Sequence, residues 1–207
     1  MSPPHEFTVL SSDTLHVGRV LALRLDQVVM PGGHAVGREI FEHPGSVAVL
    51  PLHDDASVVM IDQYRHPVGR RMRELPAGLL DAPGEEPLAA AQRELVEETG
   101  YTARDWSVLV DVVPSPGFSD EAARVFLARG LTEVGRPAGG DDEEADLDVV
   151  RLPLAEAVRQ VLAGQIVSAS TVTGVLAAHV VLAGTAQPRP IGAPWLDRPT
   201  RFAGRRG

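Results

Sequence analysis

A chain of 207 residues with 44% apolar and 23% charged side chains has globular composition and can bury a sizeable core. Its formal charge of −9 works against nucleic-acid backbone binding, which needs a basic surface, but leaves open small phosphorylated ligands held by metal ions and local arginines. The absence of cysteine excludes disulfides and thiolate metal sites.

The opening residues, "MSPPHEFTVLSSD", show no basic segment followed by an apolar run, so no signal peptide is expected. Residues 6–42 read as a small antiparallel unit of two or three strands. "VGRVLALRLD" alternates in part, and "QVVM" and "HAVGREIFEH" flank the turn signal "PGG". A unit of this size needs the rest of the chain, or a second copy, to pack against. "SVAVLPL" and "SVVMIDQY" read as core strands joined by a polar turn at His53, Asp54 and Asp55. "RELPAGLLD" breaks the pattern with Pro76 and Gly78. "PLAAAQRELVEET" then reads as a helix, with Pro87 in its first turn and Gly100 as its stop.

"WSVLVDVV" and "ARVFLARGL" read as strands around the loop "PSPGFSDEA", and the acidic loop "GGDDEEADLD" leads to "VVRLPL". "LAEAVRQVLAG" is an amphipathic helix ended by Gly164, and residues 170–183 a second helix. The most apolar stretch, Val172 to Ala183, is interrupted by Gly174 and His179 and is too short to span a bilayer, so the expectation is a cytoplasmic protein without a membrane partner. The final residues, rich in Pro, Arg and Gly, read as an extended tail. The expected architecture is α/β (α+β), a mixed sandwich in three parts: a β unit over 1–44, a main domain over 45–186 and a tail over 187–207.

"GLLDAPGEEPLAAAQRELVEETGY" packs several carboxylates onto one short helix. Leu88, Ala91, Leu95 and Thr99 form its apolar stripe, and Glu94, Glu97 and Glu98 lie on the flank. Like charges one turn apart cost a helix about 0.2–0.5 kcal/mol per pair. Either this is a solvated face, or divalent cations repay the cost, since hard ions prefer carboxylate oxygens. Arg93 precedes Glu97 by four residues and can hold its carboxylate.

Gly78, Glu85, Arg93, Glu94, Leu95, Glu97, Glu98, Gly100 and Tyr101 together resemble the signature of Nudix hydrolases, with six residues rather than five between Gly78 and Glu85. The resemblance implies a mixed β-sheet sandwiched between helices and a hydrolase acting on a nucleoside diphosphate linked to another moiety. It further implies two or more Mg²⁺ or Mn²⁺ ions on Glu94, Glu97, Glu98 and the Ala77 carbonyl, with Arg93 and Glu97 also serving catalysis. Pro116, sixteen residues beyond Gly100, together with "QYR" at 63–65, "ELPAG" at 74–78 and the strand-rich N-terminus, resembles the ADP-ribose pyrophosphatase subgroup. That subgroup implies cleavage of ADP-ribose to AMP and ribose 5-phosphate by a homodimer that exchanges its N-terminal strands. Rival substrates are other ADP-sugars, NADH-like dinucleotides and oxidised nucleotides. A rival class is a sensor that binds ADP-ribose without cutting it.

Four substrate-binding candidates follow from the same resemblance. Arg65 either contacts a phosphate, stacks on adenine, or is a surface strand arginine. Glu74 either accepts from adenine or ribose, or pairs with Arg71 or Arg73. Gly117 and Phe118 shape a ribose pocket, unless Phe118 is plain core. In similar enzymes a glutamate from a mobile loop is the general base, which makes Glu143, then Glu144, the candidates, against the reading of a solvated acidic loop. Histidines such as His66 are read as structural or surface residues.

Overall fold

The computed structural model describes residues 5–82, 84–137 and 146–205. Three strands come first, β1 (Val9–Val17), β2 (Ala22–Val29) and β3 (Ala35–Glu42), paired antiparallel in the order β1-β2-β3. The expected run through "VGRVLALRLD" does not continue as one strand. Gly18 N–H donates to the Leu21 carbonyl at 2.8 Å, and this turn separates β1 from β2. "PGG" does turn the chain between β2 and β3, with Gly33 at φ 78.

A four-stranded mixed sheet forms the centre, in the order β7-β4-β9-β8, from β4 (Ser46–Pro51), β7 (Ala77–Leu79), β8 (Tyr101–Val112) and β9 (Ala123–Glu133). β4 and β9 run parallel, and their other neighbours are antiparallel. The second sheet, β10-β5-β6, is built from β5 (Ser57–Arg65), β6 (Arg70–Glu74) and β10 (Asp148–Pro153). β4 and β5, adjacent in sequence, therefore belong to different sheets, and a bridge between Leu52, just past β4, and Val58 links the two.

Helices cover both faces of the mixed sheet, which explains why "SVAVLPL" is apolar throughout rather than alternating. Val47 and Val49 of β4 and Phe126 and Ala128 of β9 face α1 (Pro87–Thr99), whose Ala90, Ala91 and Leu95 are fully buried. Ala48 and Leu50, with Val125 and Leu127, face the opposite way. They meet α2 (Leu154–Leu162), α3 (Ala169–Leu182) and β5. α3 lies so close that a Cβ on Gly174 would fall 2.8 Å from Leu75 Cδ1 and 3.1 Å from Val125 Cγ1. The interrupting glycine of this apolar helix is a contact point.

Among its described residues the tail forms no large element, yet it is fastened at several points. Arg189 bridges to Val108 of β8, and Arg124 donates to the carbonyls of Ala193 and Pro194. Arg124 also lies 4.9 Å from the ring centre of Trp195, and Phe202 is buried. Arg205, the last described residue of the tail, pairs with the fully buried Glu42 of β3.

Candidate active site

α1 delivers the carboxylates. Its entry is set by Pro87, and its exit by Gly100 at φ 74, whose N–H closes on the Val96 carbonyl at 2.9 Å. With Ala91, Leu95 and Thr99 buried against the sheet, Glu94, Glu97 and Glu98 fall along the edge that meets β7. The Ala77 N–H donates to Glu98 Oε2 at 2.8 Å. A Cβ on Gly78 would lie 1.9 Å from Glu94 Oε1, so a larger residue there would displace that carboxylate.

Arg93 lies among these groups. Its Nη1 donates to Glu94 Oε1 at 2.7 Å and to Glu97 Oε2 at 2.8 Å, while Nε and Nη2 reach Glu85 at 3.0 and 3.1 Å. The Glu85 bond foremost holds the guanidinium charged beyond its ordinary range, and the same bond keeps the Glu85 carboxyl below its own. In the loop before Glu85, Gly84 turns at φ 76.

Among the described residues no three Asp, Glu or His side chains gather closely enough to enclose a metal ion. Mg²⁺ rarely needs such a cage. It keeps several waters and typically takes one or two carboxylates together with substrate phosphates. Glu94 and Glu97 already aim one oxygen each at a single cationic nitrogen, and their hard oxygens are the donors that Mg²⁺ and Mn²⁺ prefer. The donor set fits an ion shared with a phosphorylated ligand.

Ala77 and Gly78 also form part of the wall of a cleft of about 640 Å³, which Arg65, Glu74, Leu21 and Thr171 help to line. Arg65 Nε donates to Glu74 Oε2 at 2.7 Å, and Gln63 Nε2 to the same oxygen at 3.0 Å. Glu74 is therefore no partner of Arg71 or Arg73. Arg73 instead pairs with Asp62, and Arg71 with Asp146 and Asp148. The alternative of Phe118 as core is corrected as well, because its side chain is 55% exposed. It stands edge-on to Phe41 at 6.2 Å and lines a second cavity of about 250 Å³. Gly117 lies in the same loop but lines neither space.

Glu143 and Glu144 lie outside the described residues. The chain on either side is fastened: Arg136 Nε donates to the Glu97 carbonyl at 3.1 Å, and Arg71 Nη1 to Asp146 Oδ2 at 2.8 Å. One of the histidines read as structural or surface, His43, stands at the cleft. It lines both cavities together with Leu21 and Glu121, and burial pushes its imidazole below the ordinary value. Glu121 stood within "SPGFSDE", but nothing in the local pattern tells which side chains of that loop face a cavity.

A family model described as NUDIX domain matches residues 42–170. An ADP-ribose pyrophosphatase of Mycobacterium tuberculosis (strain ATCC 25618 / H37Rv) is 55% identical over 202 residues, covering 98% of this chain and 97% of that protein. An ADP-ribose pyrophosphatase of Bacillus subtilis (strain 168) is 38% identical over 166 residues, covering 80% of this chain and 89% of that protein. A crystal structure of an ADP compounds hydrolase shares the fold with a TM-score of 0.78 at 24% identity, covering 90% of this chain and 100% of that chain.

Proposed function

The chain belongs to the NUDIX domain family, and from that premise we propose that it is a metal-dependent pyrophosphatase cutting ADP-ribose into AMP and ribose 5-phosphate. The observation that carries the reading is the meeting of the acidic edge of α1 with the cleft wall at Ala77 and Gly78. Glu94, Glu97 and Glu98, with the Ala77 carbonyl, would hold two or more Mg²⁺ or Mn²⁺ ions, which when bound neutralise a diphosphate and lower the pKa of an attacking water.

The chain's own groups do the rest. Arg93 fixes the carboxylate of Glu97 and that of Glu94 in orientation. Arg65, half-exposed on the cleft wall, offers a guanidinium to the diphosphate or to the face of the base, and Glu74 behind it holds its direction. Glu143 accepts the proton of the attacking water in this reading, with Glu144 as second choice. Gly117 and Phe118 belong to the loop beside the sugar.

Purified protein is expected to release AMP from ADP-ribose only with Mg²⁺ or Mn²⁺, and to lose turnover on chelation. ADP-ribose should lead a panel with an ADP-hexose, NADH and an oxidised nucleoside triphosphate in kcat/KM. Another substrate in the lead would move the specificity. Binding of ADP-ribose without cleavage would favour a sensor.

A cytoplasmic homodimer completes the reading. No helix among the described residues is long and apolar enough to cross a membrane. β1 is exposed at every position, and Leu10, Leu15 and Val17, with Phe7 just before it, leave apolar surface for a second copy to cover. We expect light scattering to give twice the chain mass, and a monomer at micromolar concentration would refute the dimer.

A further inference from the structure

The last turn of α1 carries Glu97 and Glu98 at the end of the helix where carboxylates are least favoured. A helix C-terminus is the negative pole of the helix dipole, and cations there stabilise it. No basic residue of α1 stands in that turn. The Glu97 carbonyl is also left over. Had the helix continued, the Tyr101 N–H would meet it, but that N–H turns to Thr99 Oγ1 at 3.3 Å. The Glu97 carbonyl is thus one of the acceptors that a helix end leaves without an intrahelical partner.

Arg136, 39 residues further along the chain, answers both needs. Its Nε donates to the Glu97 carbonyl at 3.1 Å, which brings a positive charge to the negative end of the helix. Its Nη1 reaches the Leu147 carbonyl at 3.5 Å, just ahead of β10. The same side chain therefore ties the last turn of α1 to the entry of the second sheet. The route that brings Arg136 there crosses Gly100. The N–H groups of Val134 and Gly135 both donate to the Gly100 carbonyl, at 2.8 and 3.0 Å. A Cβ on Gly100 would lie 2.8 Å from the Arg136 nitrogen and 2.8 Å from the Gly135 carbonyl carbon, and backbone atoms do not give way cheaply. Gly100 is thus both the stop of α1 and the seat of the segment that delivers Arg136.

Resting on the pyrophosphatase reading, we propose that Arg136 is a positioning residue. It holds the last turn of α1, and so sets where the Glu97 and Glu98 carboxylates stand when a divalent cation binds. Arg93 orients side chains of this edge, whereas Arg136 acts through the main chain. Charge and position make opposite demands here. By charge alone, removing a guanidinium from the turn that receives a cation would tighten cation binding. By position, the same change weakens it.

The test replaces Arg136 by Met, which keeps the length of the stem and loses every donor, and by Lys, which keeps a charged donor. Calorimetric binding of Mn²⁺ to the full chain without substrate is expected to weaken about tenfold in Arg136→Met, equivalent to ~1.4 kcal/mol. Arg136→Lys should recover most of that loss. In the metal-free protein, hydrogen exchange of the Gly100 amide, which closes the turn on the Val96 carbonyl, should quicken about tenfold in Arg136→Met. The Ala90 and Ala91 amides should keep the parent's rates. On ADP-ribose at saturating Mn²⁺, kcat should fall while KM stays within about twofold. Unchanged or tighter Mn²⁺ binding in Arg136→Met overturns the assignment. Loss of protection spread over the whole of α1 overturns it too, because the role is then a general structural one. A parent that cuts no ADP-ribose or binds no Mn²⁺ fails the activity reading instead. The Gly100 amide then decides alone, faster exchange in Arg136→Met supporting the hold on the turn and equal exchange overturning it.

Discussion

Glu98→Gln is expected to lower kcat/KM on ADP-ribose by at least about a hundredfold, while the metal-free protein melts as the parent does. Glu98 is buried, and its Oε2 accepts the Ala77 N–H. The amide oxygen of glutamine can keep that bond, so α1 stays docked on β7. What is lost is one negative charge and its donor strength toward a cation. Removing that charge also relieves repulsion from Glu94, one turn away, so no melting penalty arises without metal. Paired assays and thermal melts, with and without Mg²⁺, decide the matter. Undiminished turnover would remove Glu98 from the proposed ligand set, and a collapsed melting point would make its role structural.

Glu42→Gln is expected to cost the fold about 3 kcal/mol at neutral pH, roughly 6–12 °C in Tm for a chain of this size. Glu42 is fully buried where the tail meets the N-terminal sheet. Its Oε1 accepts from Arg24 Nη1 at 2.7 Å and from Arg205 Nη2 at 2.8 Å, and Arg205 Nε reaches Oε2. The hydrogen bond from Arg205 foremost, and then that from Arg24, overcomes burial and lowers the Glu42 pKa from 4.5 to about 2. A carboxyl whose folded pKa is depressed stabilises the fold above its unfolded pKa. That contribution fades as the pH falls from about 4.5 toward 2. The gap in Tm between parent and variant should accordingly be widest near neutrality, narrow below pH 4.5, and close near pH 2. Equal melting at pH 7, or a gap that ignores pH, would show that the buried carboxylate contributes no net charge stabilisation.

Both positions differ in how visible they were. Glu98 was legible because helical spacing is a local property, and 3.6 residues per turn place Glu94 and Glu98 on one edge whatever surrounds them. The limits of α1 were legible for the same reason, since Pro87 and Gly100 act on neighbouring backbone. Glu42 was not, because its partners Arg24 and Arg205 lie 18 and 163 residues away. Glu74 shows the same limit at closer range. Arg71 and Arg73 were its nearer candidates in sequence, but the β5–β6 register sets Ile61 opposite Glu74 and Asp62 opposite Arg73, which leaves Glu74 to Gln63 and Arg65.

The sequence alone determined the helix with its carboxylate edge, the turns at glycine and proline, the strands buried on both faces, and a signature specific enough to identify the family. These follow from short-range sterics and from periodicity, which act within a few residues. Only the tertiary structure decided which sheet each strand joins, that the tail is fastened down to Arg205, and that His43 and Glu121 line the same two cavities. Those outcomes depend on segments far apart in the chain being brought into register by the packing of a common core, and no local pattern encodes which distant side chain will arrive opposite another.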